Sequence, residues 1–299
     1  GNYTCPKLGK EYNVTGSAIR TLLIRRNIPI INNRSKLARK YTLDEHYFDK
    51  IDTEAKAYFL GLIYADGYHN EKQNRISLSL QEEDKHILES LKIELKSNRP
   101  FVYMSNNNKN KNWKNIYRAD FNSPILSKRM IKLGCPQKKS FKIMFPTSDI
   151  VPGHLLHHFM RGYFDGDGCF STRICKTSTK GRIYSYRTYS FSIISTEHFC
   201  QNFGKTIQDK FGFHYSVLHH NKYKGNTRIL SISGQKIIIM LDWLYQDANI
   251  YLHRKYNKYL FEKVLLKERK DNTIKSPWGS RSIGSINTIT KNEVYHDAK

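Results

Sequence analysis

Two aspartates follow nearly the same sequence pattern in the two halves of the chain. Asp66 is the ninth residue of the segment YFLGLIYADG at 58–67, and Asp167 is the ninth residue of FMRGYFDGDG at 159–168. In both copies two small residues lie four apart just before the aspartate, namely Gly61 with Ala65 and Gly162 with Gly166. Positions i and i+4 share one face of a helix, so this spacing predicts two helices that pack closely along their small residues.

Such a pair of helices would bring the two carboxylates together. An aspartate in the last turn opposes the helix dipole by about 0.3–1 kcal/mol, and neighbouring carboxylates repel unless a cation lies between them. The repetition therefore predicts a divalent metal site, and carboxylates with water suit Mg²⁺ and metal-assisted hydrolysis of phosphodiesters. The glycine after each aspartate predicts a left-handed helix cap. A second interpretation is that each Asp-Gly pair only ends a buried helix.

The elements that must position these aspartates repeat as well. Each copy is followed by a strand and then a helix, at 75–81 and 82–95 in the first half and at 190–195 and 197–211 in the second. A further strand and helix complete each half, at 117–133 and 228–245. The order predicts an α+β fold of two pseudo-symmetric modules.

Charge restricts the class of partner. The 299 residues include 50 Lys and Arg against 26 Asp and Glu, a net charge of +24. This excess predicts a polyanionic partner, with nucleic acid ahead of an anionic membrane surface. The hydrophobic fraction of 39% is high enough for folded cores, which excludes a disordered basic tail.

Membrane and disulfide chemistry are not indicated. The longest apolar run, 237–241, is far shorter than a membrane span, and the first residues do not resemble a signal peptide. The five cysteines are scattered without a CxxC pair, which argues against a disulfide framework or a zinc ribbon. We therefore expect a cytoplasmic protein, or one located wherever its nucleic acid lies.

The two motifs resemble those of the LAGLIDADG homing endonucleases, in the single-chain form that carries both. The resemblance extends over about 52–262 and implies two αββαββα modules that form a saddle on double-stranded DNA. It implies Mg²⁺-dependent cleavage of both strands across the minor groove, at a long recognition site, with 3′ overhangs. Mn²⁺ is expected to substitute for Mg²⁺, and Ca²⁺ to bind without supporting cleavage. The nine positions of the family's motif correspond to 59–67 and 160–168. The sixth position departs from the family in the first copy, where it is Tyr64, and Arg161 replaces the small second residue in the second copy.

The resemblance also assigns roles by position. Asp66 and Asp167 are the metal ligands, joined by the carbonyls of Ala65 and Gly166. One basic residue serves each centre, Lys139 or its neighbour Lys138 in the first half and Lys255 or Arg254 in the second. Gln81 matches a position near the scissile phosphate, with Ser195 as its counterpart. All four basic residues have an alternative interpretation as ordinary surface charges.

Strand alternation suggests the surface that contacts DNA. In 75–81 the apolar residues share one face, so the other face should lie open on the major groove. The alternative is a solvated polar face. The residues expected to contact DNA in the two modules are Arg75, Ser77, Ser79, Gln81, Arg173, Lys176, Arg182, Arg187 and Ser192.

The N-terminal segment predicts a helix-turn-helix or another small helical hairpin. Its second helix is expected at 17–26 and is capped by Thr15 or Ser17. Arg20 and Arg25 on this helix, and Arg34 in the basic linker that follows, are expected to contact DNA, although the linker could also be a solvated loop. We expect four regions: 1–50 with this unit and linker, modules at 51–148 and 149–266, and a basic tail at 267–299. The histidines in 154–158 are expected to be structural or to face DNA.

Two other functions remain open at this point. An RNA-binding intron maturase would use the same fold on the chain's own intron RNA, and a non-cleaving regulator would use the helix-turn-helix. No segment resembles the splicing segments of an intein, so we expect a free-standing or intron-encoded protein. Both modules lie in one chain, so a monomer without an obligatory protein partner is expected.

Overall fold

The computed structural model describes residues 4–28, 40–105, 114–179, 182–219 and 226–271. The chain divides into two units, residues 1–42 and residues 43–299. Within the described residues, no helix is both long and apolar enough to cross a bilayer. The five cysteines are free thiols.

The N-terminal unit is a pair of short helices, α1 (Cys5–Glu11) and α2 (Gly16–Arg25). The hydroxyl of Thr15 accepts a hydrogen bond from Ala18 N, so the predicted cap is present and the second helix begins at Gly16. A Cβ on Gly16 would lie within 3.0 Å of the backbone of Pro6. The two helices therefore pack with their backbones in close approach.

The larger unit contains two modules of the same design, as predicted. The first runs α3 (Glu54–Asp66), β1 (Gly67–Asn70), β2 (Arg75–Gln81), α4 (Lys85–Glu94), β3 (Val102–Met104), β4 (Ile116–Asn122) and α5 (Pro124–Lys132). The second runs α6 (Leu156–Asp167), β5 (Gly168–Thr179), β6 (Arg182–Thr196), α7 (Glu197–Phe211), β7 (Ser216–His219), β8 (Thr227–Ser233) and α8 (Ile237–Leu244). A final helix, α9 (His253–Asp271), follows the second module. Both modules have the order αββαββα.

Each module forms one antiparallel sheet of four strands, ordered β1-β2-β4-β3 and β5-β6-β8-β7. The second sheet has a much longer first hairpin, because β5 and β6 contain 12 and 15 residues where β1 and β2 contain 4 and 7. The two sheets therefore have the same topology but differ in the length of their first hairpin.

Helices cover one face of each sheet. In β2 the predicted apolar face is buried, with Ile76, Leu78 and Leu80 all in the core. In β6 the corresponding residues are Phe191 and Ile193. Burial of alternate residues is what leaves the opposite, polar face of an antiparallel sheet uncovered by helices.

Candidate metal centre

The two motif helices, α3 and α6, lie side by side along their glycines. A Cβ on Gly61 would lie within 3.0 Å of the carbonyl oxygen of Phe159, and a Cβ on Gly162 would lie equally close to that of Tyr58. The contacts are reciprocal, as a pseudo-twofold axis requires. The predicted close packing of the small residues is therefore present, and only glycine fits at these two positions.

Both helices end on their aspartates. Asp66 is the last residue of α3 and Asp167 is the last residue of α6. The carboxylate of Asp66 on α3 reaches α6, because its Oδ2 lies 3.1 Å from the place that a Cβ on Gly166 would occupy. The packing of the helices thus brings Asp66 beside the residue that precedes Asp167.

The predicted left-handed cap is wrong. Gly67 has φ −68° and Gly168 has φ −90°, both in extended backbone, because β1 and β5 begin at these residues. Glycine is needed for space instead. A Cβ on Gly67 would lie 2.5 Å from the carbonyl oxygen of Ile63, and one on Gly168 would lie 2.8 Å from Cα of Phe164.

The site disfavours ionised carboxylates. Both aspartates are open to solvent on one side, but the surrounding protein removes enough water to raise their pKa values. Desolvation, followed by repulsion from Asp167, raises the pKa of Asp66 to about 6. Desolvation also raises the pKa of Asp167. The charges of Lys139 and Lys255 act against both shifts.

Lys139 belongs to the first half of the site. Its Nζ donates to the carbonyl oxygens of Tyr64 at 2.6 Å and Ala65 at 2.5 Å, near the end of α3. Lys139 is 8% exposed, and burial lowers its pKa. Lys138 is exposed and has a left-handed backbone with φ 59°. Of the two neighbours, the structure brings Lys139 to the motif helix.

Lys255 belongs to the second half. Its Nζ donates to the carbonyl oxygens of Phe164 at 2.5 Å and Gly168 at 2.6 Å, at the end of α6. Burial lowers the pKa of Lys255 to about 8. Its neighbour Arg254 pairs with Asp84 at 3.0 Å. One lysine from each half therefore reaches the carbonyl end of its own motif helix.

The donor set suits a cation that keeps ligands from solvent or substrate. No group of three or more His, Cys, Asp or Glu side chains is arranged for a metal within the part of the chain that the structure describes. Two solvent-accessible carboxylates whose charges repel are a suitable seat for Mg²⁺, which retains waters and phosphate oxygens. The carbonyl of Ala65 already accepts from Lys139, so a metal would share this oxygen.

The chain is similar to solved structures of nucleases. Among solved structures, 82 chains match. The chain resembles LAGLIDADG homing endonucleases. One match is the LAGLIDADG meganuclease I-AabMI bound to uncleaved DNA, at 16% identity and a TM-score of 0.47, covering 71% of this chain and 91% of that one. I-LtrWI bound to target DNA matches at 13% identity and 0.47, covering 76% and 92%. I-SmaMI bound to an uncleaved target with calcium ions matches at 17% and 0.46, covering 77% and 95%.

No family model and no curated protein matches the sequence. The fold itself, two αββαββα modules around the paired motif helices, is seen directly in the order of helices and strands and in the two sheets.

Gln81 and Ser195, the two residues that the resemblance places near a scissile phosphate, differ in exposure. Gln81 is exposed at the end of β2. Ser195, near the end of β6, is only 6% exposed. In the strand registers Gln81 matches Thr196, so Ser195 is not its structural counterpart.

The open face of the first sheet departs from the expectation at one residue. Ser77 is 3% exposed, and its hydroxyl donates to Asp120 on β4 at 2.7 Å. Asp120 in turn pairs with Arg118 at 3.1 Å and Arg99 at 3.7 Å. Ser77 is therefore covered by an ion-pair network, while Arg75 and Ser79 are partly exposed on the same face.

In the second sheet, Arg187 faces the wrong side for the predicted DNA contact. It pairs with Glu262 of α9 at 2.5 Å, and it lies on the same face of β6 as the core residue Tyr189. Arg173 and Lys176 are exposed, and Ser192 is half-buried. Arg34 and the side chain of Arg182 lie outside the described residues.

Sequence reasoning missed a buried polar network at the interface of the motif helices. Arg161 is fully buried and pairs with Glu54, the first residue of α3, at 2.7 Å. It also contacts Nδ1 of His158 at 2.7 Å, which makes this histidine structural, one of the two expected roles. The available signal was an arginine in the middle of an apolar motif, since a buried arginine requires a partner.

Proposed function

We propose that this protein is a site-specific DNA endonuclease that cuts both strands in a divalent-metal-dependent reaction. The observation that carries the proposal is the meeting of two aspartates at the ends of two glycine-packed helices, with one lysine donating to the end of each helix. A structural helix end needs neither the unfavourable pair of carboxylates nor the matched lysines. A centre for cleaving phosphodiesters needs both.

Asp66 and Asp167 would hold the metal, with the carbonyls of Ala65 and Gly166 as further ligands. When bound, Mg²⁺ would activate water and stabilise the leaving oxygen of the phosphodiester. Mn²⁺ would replace it, and Ca²⁺ would bind without supporting cleavage.

The lysines supply fixed positive charge on both sides of the carboxylates. Each ammonium is held by two backbone carbonyls, so little reorganisation is needed when a phosphate approaches. Because each lysine belongs to one module, Lys139 would act on one DNA strand and Lys255 on the other. Gln81 would contact DNA near the first of these cuts.

The open faces of the two sheets would lie along the DNA. Arg75, Ser79 and Gln81 are available on the first sheet, and Arg173 and Ser192 on the second. Lys176 is exposed on the other face of β5, so a DNA contact would have to reach it around the long first hairpin. The net charge of +24 supports binding to a polyanion. The N-terminal helices would add contacts through Arg20 and Arg25, which are exposed on α2. Pairing of the two modules within one chain supports action as a monomer. We expect cleavage at a long recognition site, with 3′ overhangs.

The test is cleavage of a randomised-site DNA library, together with DNA spanning the insertion site of the coding intron, in Mg²⁺, Mn²⁺ or Ca²⁺. Wild type is compared with Asp66→Asn and Asp167→Asn. Asp209→Asn is the matched control, because Asp209 lies on the surface of α7 in an exposed pair with Lys205. We expect double-strand cuts in Mg²⁺ and Mn²⁺ from wild type and the control, and cuts lost or reduced to nicks in both motif variants.

Tight binding without any cut in Mg²⁺ or Mn²⁺ would contradict the nuclease proposal. Splicing of the intron RNA by the purified chain would then be the next assay, since a maturase binds nucleic acid without cutting DNA.

A further inference from the structure

The sixth position of the motif is occupied differently in the two halves. In α3 it is Tyr64, whose hydroxyl donates to the carbonyl of Leu133 within its own module. In α6 it is Asp165, which is fully buried. Its Oδ2 accepts from the hydroxyl of Tyr58 on α3 and from the backbone N–H of Leu252, both at 2.9 Å.

The contact with Leu252 lies at the beginning of α9. Leu252 directly precedes this helix, and its carbonyl accepts from the backbone N–H groups of Lys255 and Tyr256, both at 3.0 Å. A carboxylate at a helix N-terminus is favourable for the helix dipole and satisfies a backbone donor that the helix itself leaves unpaired. Asp165 therefore anchors the first turn of α9 to the second motif helix.

That first turn carries Lys255. From there its Nζ reaches the carbonyls of Phe164 and Gly168, which lie three residues before and one residue after Asp167. The position of the ammonium thus depends on how the start of α9 is fixed against α6, and the hydrogen bond from Leu252 to Asp165 fixes the residue that directly precedes α9.

The first half holds its lysine by other means. Lys139 begins a short turn of 3₁₀ helix, Lys139–Phe141, which follows the left-handed residue Lys138. No described contact joins this turn to the side chain at the sixth motif position, since the hydroxyl of Tyr64 is directed at Leu133. The two lysines are therefore supported independently of each other.

We propose that Asp165 is a positioning residue that places Lys255, and that it thereby controls cleavage of one DNA strand and not the other. This inference rests on the proposed nuclease function. The cost of the arrangement supports it, because Oδ1 of Asp165 is buried without a hydrogen-bond partner among the described residues. An aspartate kept only to accept from Tyr58 would not need the contact with Leu252.

The experiment measures the rate of each strand's cut separately, on duplex DNA that carries a different label on each strand. Lys255→Ala first identifies the strand that depends on Lys255. We expect Asp165→Asn to slow that same strand by about tenfold or more relative to the other, with Kd for DNA within about twofold of wild type. Asparagine keeps the size of the side chain and one acceptor oxygen, but it removes the negative charge that strengthens the hydrogen bond from Leu252 and favours the start of α9.

Tyr58→Phe is the matched control. It removes the other hydrogen bond to Asp165 and alters the same buried interface, but it leaves the contact with Leu252 in place. We expect it to preserve the wild-type ratio of the two strand rates. A general loosening of the interface would instead change the ratio in both variants or in neither.

The outcomes are distinguishable. If Asp165→Asn slows both strands equally, or slows neither, while wild type cuts, the positioning role is wrong and the nuclease proposal stands. If wild type cuts neither strand, the nuclease proposal itself fails. Should Asp165→Asn not fold, Asp165→Ser is used under the same criteria, since it also removes the carboxylate and leaves a smaller side chain.

Discussion

Arg161 and Glu54 form an ion pair across the interface between the two motif helices, with Nη2 and Oε1 2.7 Å apart. Arg161 has no exposed surface, and it also donates to the carbonyls of Leu244 at 2.9 Å and Ile250 at 3.1 Å. Glu54 accepts from the backbone N–H groups of Asn249 and Ile250 as well. The pair therefore ties the beginning of α3 to α6 and to the segment before α9.

Removing one member of this pair should destabilise the protein strongly. Arg161→Met leaves the carboxylate of Glu54 without its ion-pair partner, so we expect a loss of about 3–5 kcal/mol in the free energy of unfolding. Combining it with Glu54→Gln should cost less than the sum of the two single changes. Urea denaturation measures all three variants. Lys205→Met is the control, because its pair with Asp209 is exposed and should be worth at most about 1 kcal/mol.

The glycines of the motif helices should not tolerate a methyl group. In most helices Gly→Ala is stabilising by up to about 1 kcal/mol. Here a Cβ on Gly61 or Gly162 meets the backbone of the opposite helix, so each Gly→Ala change should cost about 1–3 kcal/mol. Gly153→Ala is the matched control, since a Cβ there has nothing within 4 Å. Equal unfolding midpoints for Gly61→Ala and wild type would contradict the close packing.

Asp66→Asn should stabilise the protein at neutral pH in the presence of EDTA. The folded pKa of Asp66, about 6, lies above the ordinary 3.8, so the folded state binds this proton more tightly than the unfolded state. The associated stability is present below 3.8 and is lost as the pH rises to about 6. Above pH 6, thermal unfolding should show that the variant is more stable than wild type. The difference should be about 1 kcal/mol at most, because the carboxylate contacts water. Below pH 4 the two proteins should be equally stable.

Mg²⁺ provides the companion measurement for that variant. Ligand that binds only the folded state raises the unfolding temperature. We expect added Mg²⁺ to raise it for wild type and for Asp209→Asn, and to raise it less for Asp66→Asn.

Acid should destabilise the protein through His158. Burial, followed by the nearby positive charges of Arg161 and His157, lowers the pKa of His158 from 6.5 to about 4, against the opposing charge of Glu54. As the pH falls, the unfolded state therefore takes up this proton before the folded state does. The contribution of neutral His158 to the free energy of unfolding is fully present above pH 6.5, and about 2 kcal/mol of it is lost between pH 6.5 and pH 4.

His158→Gln should flatten this part of the pH profile, because glutamine does not titrate. Urea denaturation between pH 7.5 and 4 measures the effect. The exposed His214→Gln is the control and should retain the wild-type profile. Parallel profiles for wild type and His158→Gln would contradict the assignment.

DNA affinity should depend steeply on salt. Contact with about ten phosphates predicts a loss of roughly 10³–10⁵ in affinity between about 50 and 200 mM salt. Replacing Arg20 and Arg25 of α2 together by Gln should reduce the logarithmic salt slope by about 2 if the N-terminal helices contact phosphates. Lys205→Gln serves as the control for net charge. Fluorescence anisotropy measures each slope, and an unchanged slope in the double variant would remove α2 from the DNA interface.

The sequence alone determined the features that depend on local repetition. The repeated motif, the small residues spaced i,i+4 and the alternation in 75–81 were enough to predict two pseudo-symmetric α+β modules and a close approach of Asp66 and Asp167. The αββαββα order was implied by the resemblance of the motifs to a known family. These features follow from the fixed periods of helix and strand, which any residue's neighbours in sequence must obey. An α-helix rises about 1.5 Å per residue, so its period relates the positions of residues within one helix only.

Only the tertiary structure decided which distant groups meet. It distinguished Lys139 from Lys138, covered Ser77 with Asp120, and turned Arg187 toward Glu262. It also replaced the expected left-handed caps by strands that start at Gly67 and Gly168. In each case the outcome depends on a partner from another element, where burial requires every charge and donor to be satisfied. That requirement acts on neighbours in space, and the order of residues in the chain does not contain it.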